Sequence, residues 1–148
     1  MEEQFVTFVL GDERFAVGIM NIVEVIRKED ITDIPKALDF VEGIINLRGN
    51  VIPVIAMRKR FKTPGEYTGG DQKILVARIG EKSIGFMVDA VEEVIRIKSD
   101  DVHEAETGNT TIDNSFVEGI ADTEKGLIIV IDISRILNKY EQQKLSSL

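Results

Sequence analysis

The sequence has no cysteine, which removes disulfides, thiolate nucleophiles and sulfur-ligated zinc in one step. It has one histidine, His103, in the acidic stretch Asp100-Asp101-Val102-His103-Glu104-Ala105-Glu106 with no serine beside it. A nucleophile and its base would have to come from distant parts of the chain. The carboxylates of that stretch lack the alternation and central glycine of a calcium loop, and one imidazole is too few for a transition-metal site. Neither G-x-G-x-x-G nor a Walker-type G-x-x-x-x-G-K occurs, so the usual phosphate cradles are missing. No cofactor is expected. A binding protein is the leading reading, with a small-ligand-binding β-barrel and a hydrolase using His103 as the alternatives.

Basic charge is also scarce: 18 Lys and Arg face 26 Asp and Glu, a formal charge of −8. Such a chain repels the phosphate backbone that supplies most nucleic-acid affinity, so nucleic acid is not expected as a partner. The one basic cluster, Arg58, Lys59, Arg60 and Lys62, reads as the solvated face of a short helix. Long apolar runs are absent too. The start, Met1-Glu2-Glu3-Gln4, lacks a signal peptide's basic and apolar regions, and residues 127–131 are too short to span a bilayer. The expectation is a soluble cytoplasmic protein with no membrane insertion, in which the glycosylation pattern Asn109-Thr110-Thr111 is accidental.

What the chain does have is a repeat. Phe40-Val41-Glu42-Gly43-Ile44 recurs as Phe116-Val117-Glu118-Gly119-Ile120, and the match runs without a gap from 40–61 onto 116–137. Upstream, Leu10-Gly11-Asp12-Glu13 aligns with Ile79-Gly80-Glu81-Lys82, and Glu24-Val25-Ile26-Arg27 with Glu93-Val94-Ile95-Arg96. Two lobes of roughly 70 residues would be marginal alone, so they should pack on each other as subdomains.

Short β-branched runs between glycine and acidic turns predict five strands per half. They fall at about 4–10, 14–19, 22–28, 40–47 and 50–55, then at 73–79, 83–88, 91–97, 115–122 and 127–131. Strands of that length and spacing curl into small barrels. The only Pro/Gly-rich stretch, residues 60–71, divides subdomain 1 (about 1–65) from subdomain 2 (about 71–132). Ile133, Ile136, Leu137 and Tyr140 fall at helical spacing, so a C-terminal helix is predicted over about 133–145 with Asp132 as its cap.

Two features point to binding, and a third belongs to the fold. Ile22-Val23-Glu24-Val25-Ile26 is apolar on both faces except for Glu24, and Val91 and Val94 of its repeat mate fall on opposite faces by strand periodicity. Either the sister lobe covers these strands or they line an apolar groove open to a partner. Arg48, in the turn Asn46-Leu47-Arg48-Gly49-Asn50, aligns with Glu124, so the fold does not demand arginine there. It is either an ordinary solvated arginine or a planar donor for a partner's acceptor groups. Gly43 and Gly119 occur in both halves and read as a bulge or a close backbone approach.

These residues resemble a known family. Gln4-Phe5-Val6-Thr7-Phe8-Val9-Leu10-Gly11, Val23-Glu24-Val25-Ile26, Val41-Glu42-Gly43-Ile44-Ile45-Asn46-Leu47-Arg48-Gly49 with Pro53-Val54, and Gly85-Phe86-Met87-Val88-Asp89 are similar to CheW, the chemotaxis coupling proteins, over nearly the whole chain. The resemblance implies an all-β fold with short helices, built from two pseudo-repeated five-stranded SH3-like β-barrel subdomains plus a C-terminal helix. It also implies a non-enzymatic scaffold binding the cytoplasmic tip of chemoreceptors and the regulatory domain of the histidine kinase CheA. The receptor-binding residues it implies are Val6, Ile19, Ile22, Val25, Val91 and Val94; the kinase-binding residues are Glu24, Arg48 and Gly49. Members often carry Asp where this chain has Ala56, which removes a helix cap and puts a short helix at 57–61 in question.

Overall fold

The structure, a computed structural model, describes residues 2–28, 31–34, 38–62, 72–104 and 114–146. Most of the 60–71 stretch and the Asn109-Thr110-Thr111 pattern lie outside the described residues. The elements are β1 (Glu2–Leu10), β2 (Glu13–Gly18), β3 (Ile22–Arg27), β4 (Val41–Leu47), β5 (Asn50–Ala56), α1 (Met57–Arg60), β6 (Lys73–Ile79), β7 (Lys82–Val88), β8 (Ala90–Lys98), β9 (Val102–His103), β10 (Val117–Thr123), β11 (Gly126–Ile131) and α2 (Lys139–Ser146).

The strands form two sheets, β8-β1-β2-β11-β10-β9 and β3-β6-β7-β5-β4. Each half lends its first hairpin to the other half's sheet: β1 and β2 join β8 to β11, while β6 and β7 join β3 to β5. Parallel contacts β2 to β11 and β5 to β7 close the exchange. The division at about 65–71 is therefore a division of the repeated sequence, while both sheets draw on both sides of it. With its hairpins exchanged, neither half can keep its sheet alone.

The exchange explains why so many strands are apolar on both faces. In β2, Phe15 and Val17 enter a core shared by the two sheets while Ala16 points into the first sheet's own interior. In β6, Leu75 and Ala77 enter the shared core while Ile74 and Val76 fill the second sheet's interior. The shared core is threaded by a run of rings, Phe8 to Phe15 to Phe61 to Phe116, with centroids 5.3, 5.4 and 4.9 Å apart.

Both repeat glycines sit at bulges, where the register shifts between Val41 and Gly43 and between Val117 and Gly119. A Cβ on Gly43 would lie 2.2 Å from the Thr32 carbonyl oxygen, and one on Gly119 would lie 2.5 Å from that of His103. The second approach is β9, a two-residue strand paired with Ile120 and Ala121; its counterpart in the first half is the single bridge Thr32 to Ile44.

Two local readings change. The basic cluster is solvated only in part: Lys59 and Lys62 are exposed, but Arg58 grips Asp89 bidentately at 2.7 and 2.5 Å, and Arg60 lies over the Phe40 and Phe116 rings while donating to the Ile136 carbonyl. These contacts, with buried Met57 and Phe61, hold α1 although Ala56 supplies no side-chain cap. The C-terminal segment is not one helix over 133–145. Asp132 does cap a 3-10 turn, Ile133–Arg135, by accepting from the Ser134 N–H at 3.0 Å. The chain then restarts as α2 because the Asn138 N–H donates to the Glu141 carboxylate at 2.9 Å and the Glu141 N–H to the Asn138 Oδ1 at 2.8 Å, a capping box. Ile133, Ile136, Leu137 and Leu145 are buried and Tyr140 is exposed.

Candidate functional site: two faces of one edge strand

β3 and β8 are edge strands, one in each sheet. Each carries a bulge, and the bulge decides what each face presents. In β3, Ile22 pairs with Ala77 and Val25 with Leu75, with an irregularity between Ile22 and Glu24. Residues directly opposite across a ladder share a face, and Ala77 and Leu75 both face the shared core. Ile22 and Val25 therefore lie on one face although they are three residues apart. In β8, Val91 pairs with Phe8 and Val94 with Val6 across a matching irregularity, so Val91 and Val94 also share the core-side face. Strand periodicity had put them on opposite faces; the extra residue in the bulge reverses that.

The resulting apolar surface is graded. Val6 is 5% exposed and belongs to the shared core, so it supports the surface from beneath. Ile19, Ile22 and Val91 are half-buried and pack on the margin of that same core. Val25, at 42% exposed, and Val94, at 50%, stand clear of it. The two alternatives for these strands are thus joined: the inter-sheet core continues outward until its margin faces solvent. Met20, 92% exposed in the 3-10 turn Ile19–Asn21, extends the apolar display. It lies between Ile19 and Ile22 in the sequence, in a 3-10 turn that carries no strand periodicity to mark it.

The bulge in β8 is pinned. The Thr7 hydroxyl donates to the Glu93 carbonyl at 2.7 Å and accepts from the Glu93 N–H at 3.0 Å, replacing the ladder bonds that the extra residue disrupts.

The opposite face of β3 carries Glu24, which pairs with Val76 and so looks away from the shared core. Arg48 reaches it from the β4–β5 turn with two guanidinium donors, at 2.5 and 3.0 Å. Arg48 holds φ 53 and Gly49 φ 87 in that turn, and the Gly49 N–H donates to the Asn46 Oδ1 at 3.0 Å. The structure thus brings Glu24, Arg48 and Gly49 together, but the planar donor of Arg48 is matched to a carboxylate of its own chain. The guanidinium hydrogen bond, helped by its charge, holds Glu24 below the ordinary carboxylate range. Exposed Val23 and Val51 flank the pair.

His103 is exposed at the end of the first sheet and is engaged through its backbone with Ile120. Among the described residues no group of three or more His, Asp or Glu side chains is placed to hold a metal, and no helix is long and apolar enough to cross a membrane.

Two SH3-like barrels joined by exchanged hairpins, with separate apolar and charged faces on one edge strand, define a protein-binding module. The comparisons agree with that class. The CheW-like domain family matches residues 4–141. The chemotaxis protein CheW of Thermotoga maritima is 35% identical, covering 93% of this chain and 89% of its own; that of Helicobacter pylori is 34% identical, covering 92% and 82%. The crystal structure of the scaffolding protein TtCheW from Thermoanaerobacter tengcongensis superposes with a TM-score of 0.84 at 40% identity, over 93% of this chain and 89% of that one. The chain belongs to the CheW-like family, and its function is that of a chemotaxis coupling adaptor.

Proposed function

We propose that this chain is a non-catalytic bridge on the cytoplasmic side of receptor arrays. It joins the cytoplasmic tip of transmembrane chemoreceptors to the regulatory domain of the kinase CheA. One observation carries the reading: β3 gives Ile22 and Val25 to the apolar face and Glu24 to the face braced by Arg48, so two partners can be held at once by opposite sides of one strand.

The apolar face of Ile19, Ile22, Val25, Val91 and Val94 suits the stripe of a receptor helix. Val6 acts there as support. The face around Glu24, Arg48 and Gly49, with Val23 and Val51 beside it, is assigned to the kinase.

Calorimetry with each partner separately, then together, tests the bridge. Val94→Asp places a charge on an exposed apolar position and should weaken receptor-tip binding by about 2 kcal/mol or more with Tm unchanged and kinase binding kept. Arg48→Glu should do the reverse. Competition between the two partners on the wild-type chain, or equal loss of both in either variant, would sink the assignment.

A further inference from the structure

Among the described residues the chain passes from one sheet to the other at two matching crossovers. In the first half the 3-10 turn Ile19–Asn21 joins β2 to β3; in the second half Asp89 joins β7 to β8. Asp89 aligns with Met20, at the same spacing that pairs Glu24 with Glu93.

The second crossover is clasped. The Asp89 carboxylate accepts from the Arg58 guanidinium at 2.7 and 2.5 Å, and from the Gly11 N–H in the β1–β2 turn at 2.8 Å. Its own N–H donates to the Val9 carbonyl at 3.1 Å. Three segments thus meet on one side chain: the hairpin turn of the first sheet, the crossover itself, and α1, which continues β5 of the second sheet. The Arg58 side chain is 11% exposed and that of Asp89 20%, so solvent screens the pair little.

The first crossover carries no matching clasp among the described residues. Arg58 aligns with Ser134, whose hydroxyl donates to Asp132 of its own turn at 2.6 Å, and Met20 is 92% exposed. The fold therefore does not require a clasp where the chain changes sheets. The apolar surface does depend on one. It is drawn from an edge strand of each sheet, so its shape follows the angle between the sheets, and a single tie between them sets that angle.

We propose that Asp89 is a positioning residue for this surface. Through Arg58 and Gly11 it fixes the angle between the sheets, and with it the spacing of Ile22 and Val25 on β3 from Val91 and Val94 on β8. Asp89 acts through the two strands and not by contact with the partner. This rests on the assignment of the apolar surface to the receptor tip.

The test uses the full chain. Having no cysteine, it accepts spin labels at Arg27→Cys and Lys98→Cys, exposed positions at the ends of β3 and β8 far from the crossovers, where a change of angle is largest. Asp89→Asn keeps the side chain's size and an acceptor for the Gly11 N–H but removes the charge that Arg58 grips. Arg58→Lys keeps the charge and gives up the planar fork. Each should shift or broaden the label-to-label distance seen by electron paramagnetic resonance. In unlabelled protein well below its Tm, each should also lower receptor-tip affinity about fivefold or more in calorimetry, with kinase-domain affinity kept. Val76→Ala, which removes packing inside one sheet, should change neither the distance nor the tip affinity. An unchanged distance or an unchanged tip affinity in a folded variant would overturn the positioning role, as would equal loss of both partners. If neither variant folds, the pair holds the fold as a whole and the proposal fails. Wild-type tip affinity in Val94→Asp would instead overturn the receptor surface, and this inference with it.

Discussion

The two edge strands β3 and β8 are repeat mates that solve one problem differently. Both use a bulge to bring two valine or isoleucine side chains onto the core-side face. In β8 the disrupted ladder is repaired by the Thr7 hydroxyl; the residue that aligns with Thr7 is Val76, which offers no hydrogen bond and instead fills the second sheet's interior beneath β3. The comparison teaches that the duplicated strand preserved the display of apolar side chains while the means of holding the bulge diverged. On the other face, both strands kept a glutamate paired to a turn cation, although the cation moved by one aligned position from Arg48 to Lys125.

The largest expected effect lies where the halves are still alike. Gly43→Ala and Gly119→Ala each push a methyl group into a carbonyl and should each cost about 3 kcal/mol in denaturant unfolding. Gly43, with φ +151, should be the worse of the two, and a neutral result at either position would break the equivalence of the bulges. Next comes Thr7→Val, which leaves the Glu93 N–H and carbonyl without their partner. It should cost about 2 kcal/mol and weaken receptor-tip binding by misplacing Val94, whereas Val76→Ala should lower stability without that selective loss. If Thr7→Val binds the tip normally, the bulge needs no pin.

Acid provides a finer contrast. Because Arg48 lowers the Glu24 value in the folded protein, the pair's stabilisation is present at neutral pH and lost as pH falls through that lowered value. The Tm difference between wild type and Arg48→Ala should therefore shrink towards zero in acid; a constant difference would show that Arg48 acts through its turn conformation alone.

The smallest effect is at Glu118, whose carboxyl is raised above the ordinary range by partial burial first and by neighbouring Asp132 second. A raised carboxylate opposes folding above its folded-state value, and the penalty fades as pH falls through it. Glu118→Gln should raise neutral-pH stability by less than about 1 kcal/mol, since the group is partly exposed and screened. Thermal melts at neutral and acid pH should show the gain only at neutral pH.

Much of this was legible in the sequence. All ten predicted strands form with ends within two residues of those expected, because β-branched runs and turn residues act over a few neighbours. β9 and the Thr32 bridge were not legible: segments so short carry no periodic signal and exist because β10 and β4 offer them an edge. The C-terminal helix was placed too early because the spacing of Ile133, Ile136 and Leu137 fits one helix as well as a 3-10 turn followed by another. The Arg58 and Arg60 contacts were hidden because their partners, Asp89 and Ile136, are far away in the chain.

By itself the sequence determined the duplication, the β content, the special glycines and which side chains were candidates for binding, since those follow from local chemistry and self-similarity. Only the tertiary structure decided which hairpin belongs to which sheet, which face Val25 and Val94 occupy, and that Glu24 answers Arg48. A sheet is completed by strands distant in sequence, and one extra residue at a bulge reverses the faces that a period of two would assign.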